Sequence, residues 1–338
     1  MELFMVLYII ITASFSYFLT GVIRRYALAK NMMDIPGERS SHSLPTPLGG
    51  GAAIVLVVLA GLIVMKTAGV MPVSFFAALA GAGTLVASIG WIDDRRDLKA
   101  GSRLAGHFIA SGWALYWLGG LPPLTMLGHV VDLGWAGHIL ASFYLVWLLN
   151  LYNFMDGIDG IAGIEAVTVC VGGVILSIIS GTNGTLLSVP VLLAPASIGF
   201  LFWNFPKARI FMGDAGSGFL GITLGILSIK AGWAAPELFW GWLILPGAFV
   251  VDATVTLLRR ASTGKNVYEA HRSHAYQHAA LRLGAHPPVS LAYGAATLFW
   301  LLPMAALVAG GFLGGPSGLI FAYAPLTAAV IWLNAGKD

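Results

Sequence analysis

Three short segments of this sequence combine acidic or amide side chains with glycine at spacings that could bind a cation and a phosphate. The first segment is Asp93–Asp97, with the sequence DDRRD. Adjacent carboxylates repel each other, so holding two together usually requires a bound cation or a shared proton. The segment therefore indicates either a magnesium–phosphate site or general base, or a solvated helix end neutralised by its own arginines.

The second segment, residues 150–160, has the sequence NLYNFMDGIDG. On a helix, steps of three residues place Asn153, Asp156 and Asp159 within an arc of about 120°. The glycines at 157 and 160 allow the backbone to loosen there. Carboxylate and amide oxygens suit a hard cation or sugar hydroxyls. We favour a functional cluster over a purely structural one.

The third segment, residues 204–218, has the sequence NFPKARIFMGDAGSG, in which glycines flank Asp214. Glycine allows a ligand to approach the backbone closely, and backbone N–H groups at a helix N-terminus favour phosphate. A glycine-rich turn alone is a weak signal. The aspartate within it favours a combined metal–phosphate site.

A cluster of histidines occupies residues 271–278, with the sequence HRSHAYQH. Histidines at steps of three and four share one face of a helix. We favour phosphate binding by His271, Arg272 and His274 over a zinc site, since no further ligands accompany the histidines. A solvent-exposed amphipathic loop helix is the alternative without function.

Prolines fix the course of the loop that spans residues 34–51. Within it, Arg39 and His42 could reach a substrate phosphate. A rigid loop at the membrane interface is the alternative, and the two interpretations are compatible.

The composition identifies the elements that must position these segments. Of the 338 residues, 58% are hydrophobic and 10% are charged, and the mean hydropathy is +0.84. Soluble domains carry about 25% charged residues. The composition excludes a secreted soluble enzyme, a disordered chain and a nucleic-acid-binding domain, and the lone Cys170 excludes a disulfide framework. We predict one all-α polytopic membrane domain over residues 1–338.

Eleven apolar runs are long enough to predict membrane-spanning helices, which need roughly 20 residues each. They are residues 3–23, 49–66, 74–92, 103–119, 138–155, 161–180, 186–203, 216–231, 237–258, 290–310 and 316–334. The fourth contains His107 and several glycines and is the weakest, and ten spans remain if one run is re-entrant. Asp252 lies within the ninth run and is left unassigned.

The distribution of basic residues predicts the orientation. Glu2 precedes the first run and Arg24 and Arg25 follow it, which indicates an uncleaved helix with its N-terminus outside. If the following runs cross the membrane alternately, only Lys66 and Lys230 of the 18 lysines and arginines lie outside. The polar segments then fall on the cytoplasmic face. We predict an active site at that face of the membrane.

Together these segments resemble the polyprenyl-phosphate N-acetylhexosamine-1-phosphate transferases (glycosyl transferase family 4) over roughly residues 20–290. The motifs DD at 93–94, NxxDGxDG at 153–160 and FMGDxGS at 211–217 match the family's signatures in order. The MurNAc-pentapeptide enzymes carry lysine where this chain has Asp97, and a histidine run where it has HRSH at 271–274. The resemblance is therefore closer to the O-antigen-initiating branch.

The resemblance implies transfer of a sugar 1-phosphate from a UDP-N-acetylhexosamine to undecaprenyl phosphate, with release of UMP. Mg²⁺, or Mn²⁺ in its place, would be the cofactor. Asp214 would be its main ligand and Asp94 would assist. Asp93 would orient or deprotonate the lipid phosphate, and a covalent aspartyl intermediate remains open.

The resemblance also implies the remaining contacts. Asn153, Asp156 and Asp159 would hold the uridine or the sugar, while the histidine cluster would bind the donor phosphate. The lipid tail would lie in a groove between spans. No nucleic-acid partner is expected, and a homo-oligomer remains open. A secondary transporter or flippase for a phosphorylated lipid is the alternative, less favoured because the acids cluster at span ends rather than at the midplane.

Overall fold

The computed structural model describes residues 2–37, 44–126, 128–182, 184–265 and 271–337. Over these residues the chain is a bundle of helices, which confirms the predicted mostly helical class. The helices of the first half are α1 (Glu2–Ala29), α2 (Ala52–Thr67), α3 (Val73–Arg96), α4 (Ala100–Leu118), α5 (Gly134–Met155), α6 (Ile161–Ile179) and α7 (Thr185–Asn204).

The second half contains a broken pair of helices and a short helix near the site. Its helices are α8 (Asp214–Ala234), α9 (Pro236–Ile244), α10 (Gly247–Ser262), α11 (Ala275–Leu283), α12 (Pro287–Ala296), α13 (Leu302–Ala309) and α14 (Gly315–Trp332). A π-helical stretch, Thr297–Leu301, joins α12 to α13. The axes of α9 and α10 differ by 66°.

In the described part of the chain, two small antiparallel sheets, which the sequence did not predict, lie in the connections. Strand β1 (Met33–Asp34) pairs with β2 (Thr46–Pro47), and β3 (Leu124–Met126) pairs with β4 (His129–Val131). The first sheet also supports the segment before α8, because the Phe211 N–H donates to the Pro47 carbonyl at 2.8 Å. The loop before α2 is thereby attached to the loop before α8.

Each of the eleven predicted runs coincides with a helix or with a pair of consecutive helices. In the part of the chain that the structure describes, eight helices or continuous helix pairs are long and apolar enough to cross a membrane, and the bent pair α9–α10 would make nine. Helix α2 has only 16 residues, and α4 carries polar and basic residues in its first turn. The chain is a multi-pass membrane protein, while the count of eleven and the outside N-terminus remain predictions.

Helix α8 forms the centre of the bundle. In its most apolar window, 94% of the residues are buried, against 22% in α1 and 17% in α14. It packs against α3, α5 and α9. Since α8 begins at Asp214, the first residue of the innermost helix is held on several sides by neighbouring helices.

Candidate active site

A polar cavity of about 540 Å³ opens at one end of the bundle. Helices α3, α5 and α7 end there, and α4, α6 and α8 begin there. Seven of the chain's ten aspartates line the cavity: Asp34, Asp93, Asp94, Asp97, Asp156, Asp159 and Asp214. So many carboxylates around one cavity repel one another unless cations or protons compensate them. The three predicted acidic segments therefore meet in one place, although they are up to 121 positions apart in the sequence.

Asp93 is already paired within the protein. Its side chain is 8% exposed, one carboxylate oxygen accepts a hydrogen bond from the Leu98 N–H at 2.7 Å, and the other binds the Arg103 guanidinium. Arg103 Nη1 also lies 3.6 Å from Asp214 Oδ2. Arg103, in the first turn of α4, thus joins two of the predicted segments. The local sequence contains no signal for this role, because a basic residue at a span end is expected in any membrane protein.

Asp94 contacts the start of α8 through one of its two carboxylate oxygens. Its Oδ1 accepts a hydrogen bond from the Asp214 backbone N–H at 3.0 Å. Its Oδ2 is buried and has no hydrogen-bond partner among the described residues. A buried unpaired carboxylate oxygen is costly. Oxygen donors of this kind match the preference of Mg²⁺.

The acids fit a cation held partly by its substrate. Among the described residues, no three His, Cys, Asp or Glu side chains are already placed to ligate one ion. Mg²⁺ is commonly bound through one or two carboxylates, with substrate phosphates and water supplying the other ligands. The pair Asp94 and Asp214 matches that pattern.

Two glycines, Gly213 and Gly90, allow Asp214 to lie beside Asp94. Gly213 precedes α8 with φ of +78°, a conformation that side chains with a Cβ rarely adopt. A Cβ at Gly90 on α3 would lie 2.4 Å from the Asp214 carbonyl carbon. The backbones of α3 and α8 therefore approach closely, which places Asp94 beside the N-terminus of α8.

The turn after α5 holds the second predicted segment. Asn153 Oδ1 accepts a hydrogen bond from Ser217 Oγ at 3.2 Å, which links α5 to α8. The Gly160 N–H donates to Asn204 Oδ1 at 2.8 Å, which links the turn to the end of α7. Asn153, Asp156 and Asp159 all line the cavity.

His286 and Gln277 line the cavity and were missed from the sequence. His286 Nδ1 lies 3.4 Å from Asp159 Oδ2 and accepts a hydrogen bond, at the same distance, from the Asp159 backbone N–H. His286 immediately precedes α12, and Ser290 one turn later donates to the Asp159 carbonyl at 2.7 Å. Nothing in the local sequence HPP points to this contact, because it joins residues more than 120 positions apart.

The predicted histidine cluster does not line the cavity. His274 is 3% exposed, and its Nδ1 lies 3.5 Å from Asp252 Oδ1. The His271 ring stacks on the His274 ring with centroids 4.9 Å apart. Phosphate binding by His271, Arg272 and His274 therefore stays a prediction that the geometry does not directly support. The predicted contacts of Arg39 and His42 lie outside the described residues.

Burial and the charges of Asp94 and Asp159 raise the pKa of Asp156 from its ordinary value of 3.8 to about 7. Between those two values the folded chain holds a proton that the unfolded chain has lost. Stability contributed by this group is thus fully present below pH 3.8 and is lost as pH rises through about 7.

We therefore expect Asp156→Asn to reduce the pH dependence of unfolding. Thermal unfolding in detergent with EDTA would be compared at about pH 5.5 and about pH 8. The wild type should lose more thermal stability between the two pH values than Asp156→Asn loses. Identical losses in the two proteins would contradict the raised pKa.

Comparison with known proteins finds similarity over the region of the chain that contains the three acidic segments. Residues 75–232, from α3 to α8, match the family described as Glycosyl transferase family 4. A decaprenyl-phosphate N-acetylglucosaminephosphotransferase of Mycolicibacterium smegmatis is 31% identical over 308 residues, covering 80% of this chain and 74% of the relative. The family match spans the predicted motifs between residues 93 and 217.

The names of two other relatives specify two different sugars. A probable undecaprenyl-phosphate N-acetylglucosaminyl 1-phosphate transferase of Bacillus subtilis is 26% identical, covering 76% of this chain and 72% of the relative. A phospho-N-acetylmuramoyl-pentapeptide-transferase of Moorella thermoacetica is 29% identical, covering 64% and 65%. The similarity to the second type of enzyme extends over less of the chain.

Proposed function

The chain belongs to glycosyl transferase family 4, and from this premise we propose that it transfers a sugar 1-phosphate from a UDP-N-acetylhexosamine to undecaprenyl phosphate. An oxygen of the lipid phosphate attacks the β-phosphorus of the donor, and the bond from that phosphorus to the bridging oxygen breaks. UMP leaves with that oxygen. The observation that carries the proposal is the cavity at the helix ends, lined by seven aspartates.

The position of the cavity suits two substrates of opposite solubility. The donor is a water-soluble anion, whereas the acceptor is anchored in lipid. They meet only where apolar helices end and polar loops begin. We assign this end of the bundle to the cytoplasmic face of a bacterial inner membrane, on the basis of the excess of basic residues in its loops.

Asp214 and Asp94 are the residues that would hold Mg²⁺, or Mn²⁺ in its place. When bound, the ion would neutralise the donor diphosphate, because phosphoryl transfer depends mainly on positioning and charge neutralisation. Asp93 would orient or deprotonate the lipid phosphate. Its pairing favours an orienting role, since both carboxylate oxygens already accept hydrogen bonds, from the Leu98 N–H and from Arg103.

The donor side of the cavity would be formed by the turn after α5. Asn153, Asp156 and Asp159 offer amide and carboxylate groups to the ribose, the base or the sugar. His286 adds a ring whose orientation the Asp159 contacts fix. The phosphate-binding roles of the histidine cluster, Arg39 and His42 belong to the same proposal.

A second cavity supports the position of the lipid tail. It measures about 170 Å³ and lies beside the bend between α9 and α10. Its lining is almost wholly apolar and aromatic: Tyr144, Trp147, Leu148, Leu151, Leu243, Pro246, Val250, Leu319 and Tyr323. Leu151 lies five residues, or about 7.5 Å of helix rise, before Asp156. A prenyl chain in this groove would bring its phosphate toward the acids.

The direct test is synthesis of product by the purified chain in detergent. Undecaprenyl phosphate and Mg²⁺ would be mixed with each of several UDP-N-acetylhexosamines, and UMP and lipid-linked sugar would be measured. We expect equal amounts of both products with one or more donors. A transporter of phosphorylated lipid would form neither product, and absence of both with every donor would contradict the proposal.

The preferred donor would also indicate the pathway. The sequence favours initiation of O-antigen or a related envelope polysaccharide over synthesis with a MurNAc-pentapeptide donor. Two of the relatives described above are named for N-acetylglucosamine. We therefore expect a simple UDP-N-acetylhexosamine to be used in preference to a donor that carries a peptide.

A further inference from the structure

Asp252 on α10 is a fully buried carboxylate that accepts hydrogen bonds from two other helices. Its exposed fraction is 0%. Oδ1 accepts from the Ala275 N–H at 2.8 Å and from Thr256 Oγ1 at 3.1 Å. Oδ2 accepts from the Tyr276 N–H at 3.0 Å and from the Tyr293 hydroxyl at 2.6 Å. A carboxylate has about four acceptor positions, so its capacity is used within the protein.

Two of these donors are the first N–H groups of α11. Helix N-termini leave such N–H groups without partners inside the helix, and a negative charge there is favourable. Asp252 supplies both the acceptor and the charge from a different helix. The start of α11 is further fixed by Gln277 Oε1, which accepts from the His274 N–H at 3.1 Å.

The same turn of α11 contacts the active-site cavity. The Tyr276 hydroxyl donates to the Phe154 carbonyl at 3.0 Å, near the end of α5. A Cβ at Gly157 would lie 2.1 Å from that hydroxyl, so the contact between the two segments is close. Gln277 follows directly and lines the cavity together with Asp156. The position of α11 thus determines which groups face the donor side.

We propose that Asp252 is a positioning residue for donor binding. By holding the N-terminus of α11, it keeps Tyr276 against the end of α5 and keeps Gln277 beside the turn that carries Asp156 and Asp159. This inference rests on the proposed function, because it assigns that side of the cavity to the nucleotide-sugar. Asp252 itself does not line the cavity.

The test compares Asp252→Asn with wild type in the purified, full-length chain. The amide NH₂ of asparagine would face one of the present donors, so an N–H group of α11 loses its acceptor. We expect the KM for the UDP-sugar to rise about tenfold or more, and the KM for undecaprenyl phosphate to change less than about twofold. Hydrogen exchange measured by mass spectrometry should rise in the peptide that contains residues 275–278.

Thr256→Val is the matched control, since it removes one hydroxyl but leaves both N–H groups of α11 bonded to Asp252. Its kinetics and exchange should match wild type. An equal rise in both KM values, unchanged exchange in Asp252→Asn, or the same donor defect in Thr256→Val would overturn the proposal.

A second variant covers the case in which Asp252→Asn does not fold. Tyr276→Phe removes only the hydrogen bond to Phe154 and should raise the donor KM alone; an unchanged donor KM would overturn the proposal. If wild type releases no UMP from any UDP-sugar, the proposed function fails. The exchange comparison still tests whether Asp252 holds α11.

Discussion

Replacing Asp214 by Asn is expected to reduce magnesium-dependent UMP release by about 10²–10³-fold, comparable to the loss of one preorganised electrostatic group. The change keeps the shape of the side chain and removes its charge. Asp214 lies at the first position of the central helix α8, with its N–H bonded to Asp94. The loss should therefore come from the cation site, with thermal unfolding in detergent close to that of wild type.

Asp132→Asn is the control for this experiment. Asp132 is exposed, precedes α5 at the opposite end from Asp156, and accepts a hydrogen bond from the Gly134 N–H. Its variant should retain activity within about twofold, as expected for a surface substitution. Undiminished activity in folded Asp214→Asn would remove Asp214 from the proposed cation site.

Gly90→Ala is expected to cost both stability and activity. The added methyl would lie 2.4 Å from the Asp214 carbonyl carbon and 2.5 Å from the Ala215 nitrogen, which are backbone atoms that cannot rotate away. Overpacking of this kind typically costs about 1–3 kcal/mol. Helices α3 and α8 would have to separate, and Asp94 would move away from Asp214. We expect a lower unfolding temperature and at least about tenfold less UMP release, since small displacements of reacting groups have large effects.

Gly112→Ala on α4 provides the comparison, because a Cβ at that position meets no atom within 4 Å. It should leave both unfolding temperature and activity close to wild type. If Gly90→Ala behaves in the same way as Gly112→Ala, the close approach of α3 and α8 is not required for the site.

The helices and the meeting of the acidic segments could be predicted from the sequence, because both depend on the length and order of the apolar runs. Apolar runs of about 20 residues identify spans, and alternate spans bring their ends to the same side of a membrane. Asp93, Asp156 and Asp214 follow or begin such runs. Their convergence could therefore be expected without knowledge of the packing, although their roles stay predictions.

The contacts that involve partners distant in sequence could not be predicted. Arg103 resembles any basic residue at a span end, and His286 resembles any histidine before a proline pair. Their importance comes from Asp93 and Asp159, which lie 10 and 127 positions away. A pattern within one segment contains no information about such a partner.

The histidine cluster had a clear local pattern, but the structure does not place it at the cavity. The spacing of His271 and His274 predicts that both share a helix face, but α11 begins only at Ala275. His274 is the residue before it, and its ring is buried beside Asp252 on α10. The sequence of the cluster suggested ligand binding, and it contains no signal that His274 packs beside a buried acid of a neighbouring helix.

The central claim is that these acids bind one divalent cation, and Mn²⁺ binding measured by electron paramagnetic resonance tests it most directly. Purified wild type, Asp94→Asn, Asp214→Asn and Asp132→Asn would be titrated in detergent. We predict one Mn²⁺ site per chain that Mg²⁺ displaces, weakened at least about tenfold in Asp94→Asn and Asp214→Asn and unchanged in Asp132→Asn. Equal Mn²⁺ affinity in all four proteins would contradict the account.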